Sequence, residues 1–184
     1  KGHKYLVNGE EYPSVTFILD KVVPKQLGWW GMVTGVEGVC ELYHQGKITD
    51  WTDPAGITDL LTSNKLTVNH RRDQRGDVGK ALHKDFERFA LEGVLPNEQT
   101  YADEDRPRVR ALNEWIVRNE PEFQVSEVVT ASLENRYAGT LDAKATFGKG
   151  KFKGAYVLLD LKSSKYIYPD SHWPQLEAYE AAEV

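Results

Sequence analysis

At 184 residues, 40% hydrophobic and 28% charged, the sequence describes one globular domain, 1–184, with a hydrophobic core of its own. A net charge of −5 excludes a basic surface over the whole chain, though not a local one. No apolar run nears the ~20 residues of a membrane-spanning helix, no secretory h-region stands at the start, and the single cysteine, Cys40, rules out an internal disulfide framework or a four-cysteine zinc or iron–sulfur site.

The expected setting is therefore reducing and cytoplasmic. In chain order, "HKYLVNGEEYPSVTFIL" reads as a hairpin turning at Asn8-Gly9, then a helix capped by Ser14 or Thr16. Residues 25–48 read as a helix with Trp29, Trp30, Val33 and Val36 as buried candidates, and "ITDWTDPAG" as a loop. Further helical patterns cover 56–70, 74–92 and 104–119. From Phe123 the period becomes strand-like through "FQVSEVVTASLENRYAGTLDAKATF", and after the turn "GKGKFKG" comes the strand "AYVLLDLKSS". "SHWPQLEAYEAAEV" closes as a helix with Ser171 as N-cap and Pro174 in the first turn. The fold class is α/β: a helical part over about 14–120, then a central mixed sheet flanked by helices over about 121–184. The final helix runs to Val184, so closing elements are expected to lie beyond it.

Asp160 and Lys162 sit two apart in an apolar strand, where a carboxylate and an ammonium are costly unless paired. Folding the hairpin about Lys151 sets Asp142 nine residues before the centre and Asp160 nine after, so an antiparallel register places them opposite each other. Facing carboxylates repel unless a cation lies between them or one is protonated, and oxygen ligands at that spacing suit Mg²⁺ or Mn²⁺. A neighbouring lysine then adds a point charge beside a metal-bound water. The alternative is a surface ion pair on an edge strand.

Within 74–92, Val78, Leu82, Phe86 and Phe89 form a buried stripe, and His83 and Glu87 stack on its flank four residues apart. They are either a further ligand with its neighbour or a solvated pair. Gly76 and Gly79 suggest close backbone approach. Gln175 and Tyr179 share one face of the last helix, as site groups or as a half-buried flank. Basic residues cluster at Arg71, Arg72 and Arg75 and at Lys144, Lys149, Lys151, Lys153, Lys162 and Lys165, which also reads as ordinary solvated surface.

Taken in order, "YPSVTFIL", "LGWW", "RGDVGKALHKDFE", "AGTLDAKATF", "LLDLKSS" and "QLEAYEAA" resemble the PD-(D/E)XK nuclease superfamily in its RecB-like branch. The likeness is to phage-type exonucleases and the mitochondrial genome maintenance exonuclease, and it runs from Tyr12 to Ala182. It implies a restriction-endonuclease-like core and a metal-dependent DNA exonuclease of recombination, repair or replication, in the host cytoplasm if phage-encoded. It further implies metal on His83, Asp142, Asp160 and the Leu161 carbonyl, with catalysis by these side chains and Lys162. Gln175 and Tyr179 would help hold DNA, with Arg71, Arg72, Arg75 and Lys153 as backbone contacts and Trp29 and Trp30 as stacking groups if not core. Glu87 and Glu127 match acidic positions near the site rather than ligands. The implied partner is DNA, single-stranded or with free ends, alongside a recombination or single-strand-binding protein. The iron–sulfur cluster of some relatives is absent for want of cysteines. Two other readings stay open: a non-catalytic DNA-end or partner-binding module on the same fold, and a restriction-type endonuclease.

Overall fold

A computed structural model of the chain describes residues 3–23, 27–164 and 166–182. It divides into two compact units, one of residues 1–24 with 79–184 and the other of residues 25–78. Among the described residues, no helix is long and apolar enough to cross a membrane.

The first unit opens with the expected hairpin, β1 (Lys4–Val7) paired antiparallel to β2 (Glu10–Pro13). Asn8 and Gly9 both take positive φ, as a tight two-residue hairpin turn requires. Ser14 then caps α1 (Val15–Val22) by accepting the Phe17 N–H at 3.0 Å. A three-stranded antiparallel sheet follows, in the order β3 (Pro121–Ser132), β4 (Tyr137–Phe147), β5 (Tyr156–Leu159). The mixed sheet read from the sequence is thus antiparallel in all its named pairs; the parallel contact among the described residues is an isolated bridge from Ser14 to Ala138.

Leu141, buried in the central strand, packs with Val15 of α1 and Tyr179 of α6 (Pro169–Glu180), joined by Val125, Val128, Tyr137 and Leu158. A second apolar region joins the later half of α4 (Val68–Glu92) and α5 (Arg106–Asn119) to the ends of β3 and β4. There Phe86 meets Trp115 and Phe123, and Trp115 meets Phe147, with ring centroids 5.4–6.4 Å apart. Leu82 and Phe86 of the expected α4 stripe are buried.

In the second unit, α2 (Leu27–His44) and α3 (Pro54–Ser63) enclose Leu42, Ile48 and Leu66. Three expectations are corrected. Trp29 and Val36 are exposed, because the buried face of α2 turns Thr34, Gly38 and Leu42 inward. The pattern at 56–70 is two elements: Asp53 caps α3 through the Gly56 N–H, and Lys65, at positive φ, ends it before α4 begins at Val68. Finally, α6 starts at Pro169, so Ser171 lies in its first turn and Pro174 inside it.

Gly139 of the central strand is required by close packing. A Cβ there would press into the Tyr179 ring, with backbone on one side and a buried aromatic on the other. Gly139→Ala should therefore destabilise the fold by about 1–3 kcal/mol, the cost of overpacking a filled core. Urea denaturation measures it, and an unchanged midpoint would show that Tyr179 has room to move.

Candidate metal centre

The register of β4 and β5 pairs Ala143 with Leu159, and carried one step past the end of β5 it aligns Asp160 with Asp142. This is the register expected from folding the hairpin about Lys151. On the other side of β4, Ser126 pairs with Ala143 and Val128 with Leu141, which leaves Glu127 facing Asp142. An aspartate in the central strand thus has an acidic residue at the matching position on each side. That row is costly without positive charge.

Glu127 is also held in the left-handed region, φ 51°, in mid-strand. A non-glycine residue pays roughly 1–3 kcal/mol for such backbone, and strain of this kind gathers at functional sites. Opposed residues of an antiparallel pair share a sheet face, so this register sets the Glu127 carboxylate on the Asp142 side of the ladder. His83, projecting from α4, supplies the third donor: its Nδ1 lies 3.3 Å from Asp142 Oδ1. Ligand atoms of His83, Glu127 and Asp142 all lie within 4.8 Å of one another.

The set fits a hard divalent ion. One imidazole nitrogen and carboxylate oxygens are the donors such ions take, and neighbouring ligands on an octahedral Mg²⁺ stand ~3.0 Å apart, opposed ones ~4.2 Å. The His83–Asp142 approach already matches the shorter separation. The Glu127 carboxylate, on an exposed residue, lies within 4.8 Å of both.

The charges report the same crowding. The hydrogen bond to Asp142 raises the pKa of His83 above the usual imidazole range, against its partial burial. Although Glu127 as a residue is exposed, its carboxyl end loses hydration against the cluster, and this together with the Asp142 charge raises its pKa. Asp160 is raised too, chiefly by burial, with Asp142 adding repulsion and Lys162 opposing both.

Asp160 does not converge with the triad. Its side chain, 5% exposed, pairs with Lys162 Nζ at 2.6 Å through Oδ2 and accepts the Gln175 amide at 3.2 Å through Oδ1. Gln175 Oε1 in turn accepts from Lys162 at 3.1 Å, and its amide also donates to the Tyr179 hydroxyl at 3.0 Å. Asp160, Lys162 and Gln175 therefore close a ring of three hydrogen bonds anchored on Tyr179. Burial pushes the Tyr179 phenol up to about 12, so it stays protonated and able to donate.

β5 stops before Asp160 for a related reason. The Leu161 N–H donates to Asp142 Oδ2 rather than to a strand carbonyl, and the ladder ends at Leu159. The expected strand is accordingly short. The Leu161 main chain contributes this amide to the site. Gly79 of α4 faces Ser163 closely, as the paired glycines suggested, whereas Gly76 has open space beside it. A cavity of about 610 Å³ opens beside the segment, lined by Leu82 and Phe86 of α4, Trp115 of α5, and Asp160 to Ser164.

Glu127, read from the sequence as a neighbour, belongs to the cluster; its left-handed backbone has no signature in the residue pattern. Glu87, four residues after His83, lies close enough to raise the Glu127 pKa slightly. In the second unit, Arg71 is paired with Glu41, Arg72 with Asp73 at 3.1 Å, and Arg75 lies over the Trp30 ring at 5.4 Å. Lys153 is exposed in the β4–β5 turn, and Lys149 nearby pairs with Glu120. Lys165 lies outside the described residues. Comparison with protein-family models, curated proteins and solved structures finds no match to this chain.

Proposed function

We propose that this chain is a Mg²⁺- or Mn²⁺-dependent deoxyribonuclease that hydrolyses phosphodiester bonds at DNA ends, on a core of the PD-(D/E)XK type. The observation that supports it most is the acidic row Glu127–Asp142–Asp160 across neighbouring strands, faced by His83 and followed two residues on by Lys162. Carboxylates and an imidazole alone describe many metal sites. A lysine clamped beside them suits a reaction that builds negative charge.

His83, Glu127 and Asp142 would hold the ion. When bound, it supplies Lewis acidity toward a phosphate oxygen and a water more acidic than bulk. The Leu161 N–H fixes the orientation of Asp142, so the central carboxylate is set before any ion arrives. Lys162 keeps its ammonium between Asp160 and Gln175, where it offsets the charge that grows on the phosphate as water adds to phosphorus and the bond to the leaving oxygen breaks. Gln175 and Tyr179 hold that lysine in place and carry no charge of their own into the site.

The test uses circular and linear single-stranded DNA of equal sequence with Mn²⁺, and EDTA as control. Degradation of the linear strand with a resistant circle is the expected result. Rapid cutting of the circle would mark an endonuclease, and no cutting of either a binding module.

A further inference from the structure

The ring of hydrogen bonds also ties the first turns of α6 to the site, because Lys162 and Gln175, which bound a segment of the sequence, are bonded to each other. The segment reads "SSKYIYPDSHWP", and its large side chains face solvent: Tyr166, Ile167, Tyr168 and Trp173 are all more than half exposed. Three of the four are aromatic.

Their placement is ordered. Tyr168, His172, Gln175 and Tyr179 are spaced four, three and four apart, so they run along one stripe of α6 and its N-terminal entry. Gln175 and Tyr179 form the end of the stripe that holds Asp160 and Lys162. Tyr168 and His172 form the other end, ring against ring at 5.6 Å and 87°, and fixed further by the Tyr168 N–H donating to His172 Nδ1 at 3.2 Å. His172 feels the charges of both Lys162 and Asp160, which puts this end within electrostatic reach of the site. Trp173, the residue after His172, is a second exposed ring about 100° round the helix from it.

We infer that Tyr168 and Trp173, with His172 bracing Tyr168, form a stacking platform for unpaired bases of a DNA strand as its backbone enters the metal site. The inference rests on the nuclease reading and adds how the strand is gripped. Flat rings stack on any base, so a platform of this kind holds a strand without reading its sequence. Continuity with the site selects this occupant: the helical stripe that fixes Lys162 carries the Tyr168 ring outward, and Trp173 follows His172 of that stripe in the chain. A protein partner would be served as well by aliphatic side chains and gains nothing from adjacency to Lys162.

The test is binding of the full chain in EDTA, so that neither metal nor cleavage enters. Fluorescence anisotropy compares labelled oligothymidylate with an abasic strand of equal length. Wild type should bind oligothymidylate more tightly. Tyr168→Ala and Trp173→Ala should each weaken that binding about fivefold or more while leaving the abasic strand unaffected, and Trp173→Phe should retain most of it. Both side chains are exposed, so the fold survives their removal. Oligothymidylate bound no better than the abasic strand, or not at all, overturns the platform, as does equal weakening or no weakening of both strands in the variants. Base-dependent binding without cleavage in Mn²⁺ leaves the platform standing and removes the nuclease reading alone.

Discussion

Asp142→Asn is expected to abolish divalent-cation binding and, with it, cleavage. Asp142 lies at the centre of the acidic row, is buried, and has both oxygens committed, one toward His83 and the other to the Leu161 N–H. Asparagine keeps the volume and one oxygen for that amide, so the fold has no reason to change. It loses the charge that draws a cation to the cluster. Removing a partner that merely orients a ligand costs ~10–100-fold in metal affinity. Removing the central ligand itself should therefore exceed ~100-fold. A readout that needs no substrate is thermal stability. Metal at a hundred times its Kd adds about 2.7 kcal/mol to the native state, which for a chain of this size shifts Tm by roughly 5–10 °C. Wild type should show that shift with Mn²⁺ and Asp142→Asn should not. A variant that keeps the full shift would move the metal away from this cluster.

Most of the first unit is legible in the sequence, because its signals are local. Asn8-Gly9 dictates a turn, Ser14 offers a cap, and the alternation around Leu141 allows one buried face. The register placing Asp160 against Asp142 was also legible, since the glycines at both ends of "GKGKFKG" fix the centre of the hairpin. What the sequence hides is what backbone geometry does to side chains. Glu127 stands in the cluster on a positive φ that no residue type announces. Asp160 leaves it because Lys162 and Gln175, thirteen residues apart in the chain, meet in space. The arginines at 71–75 show another limit of a charge count, since each is matched locally by Glu41, Asp73 or the Trp30 ring.

Lys162→Ala separates charge stabilisation from metal binding. The lysine donates no ligand, and its ammonium opposes a second cation nearby, so Mn²⁺ affinity should stay constant or rise. The rise gains a structural reason here: without Lys162, the Asp160 carboxylate loses its 2.6 Å partner and is free to turn toward the acidic row. Cleavage should nevertheless fall by ~100-fold or more, the ~2.7–4 kcal/mol of one lost group that stabilises a transition state. Stability adds an independent sign. Asp160 already titrates above the ordinary aspartate value because burial outweighs Lys162, and removing the lysine raises it further. The folded variant then binds a proton more tightly than the unfolded chain does. Its stability is full below the unfolded aspartate pKa and declines as pH rises through the folded one. Measured without metal, Lys162→Ala should therefore lose more stability relative to wild type at pH 8 than at pH 5. Single-turnover cleavage decides the chemical role. If the variant cleaves at near the wild-type rate while showing that pH-dependent loss, Lys162 is a clamp for Asp160 and has no part in offsetting charge on the phosphate.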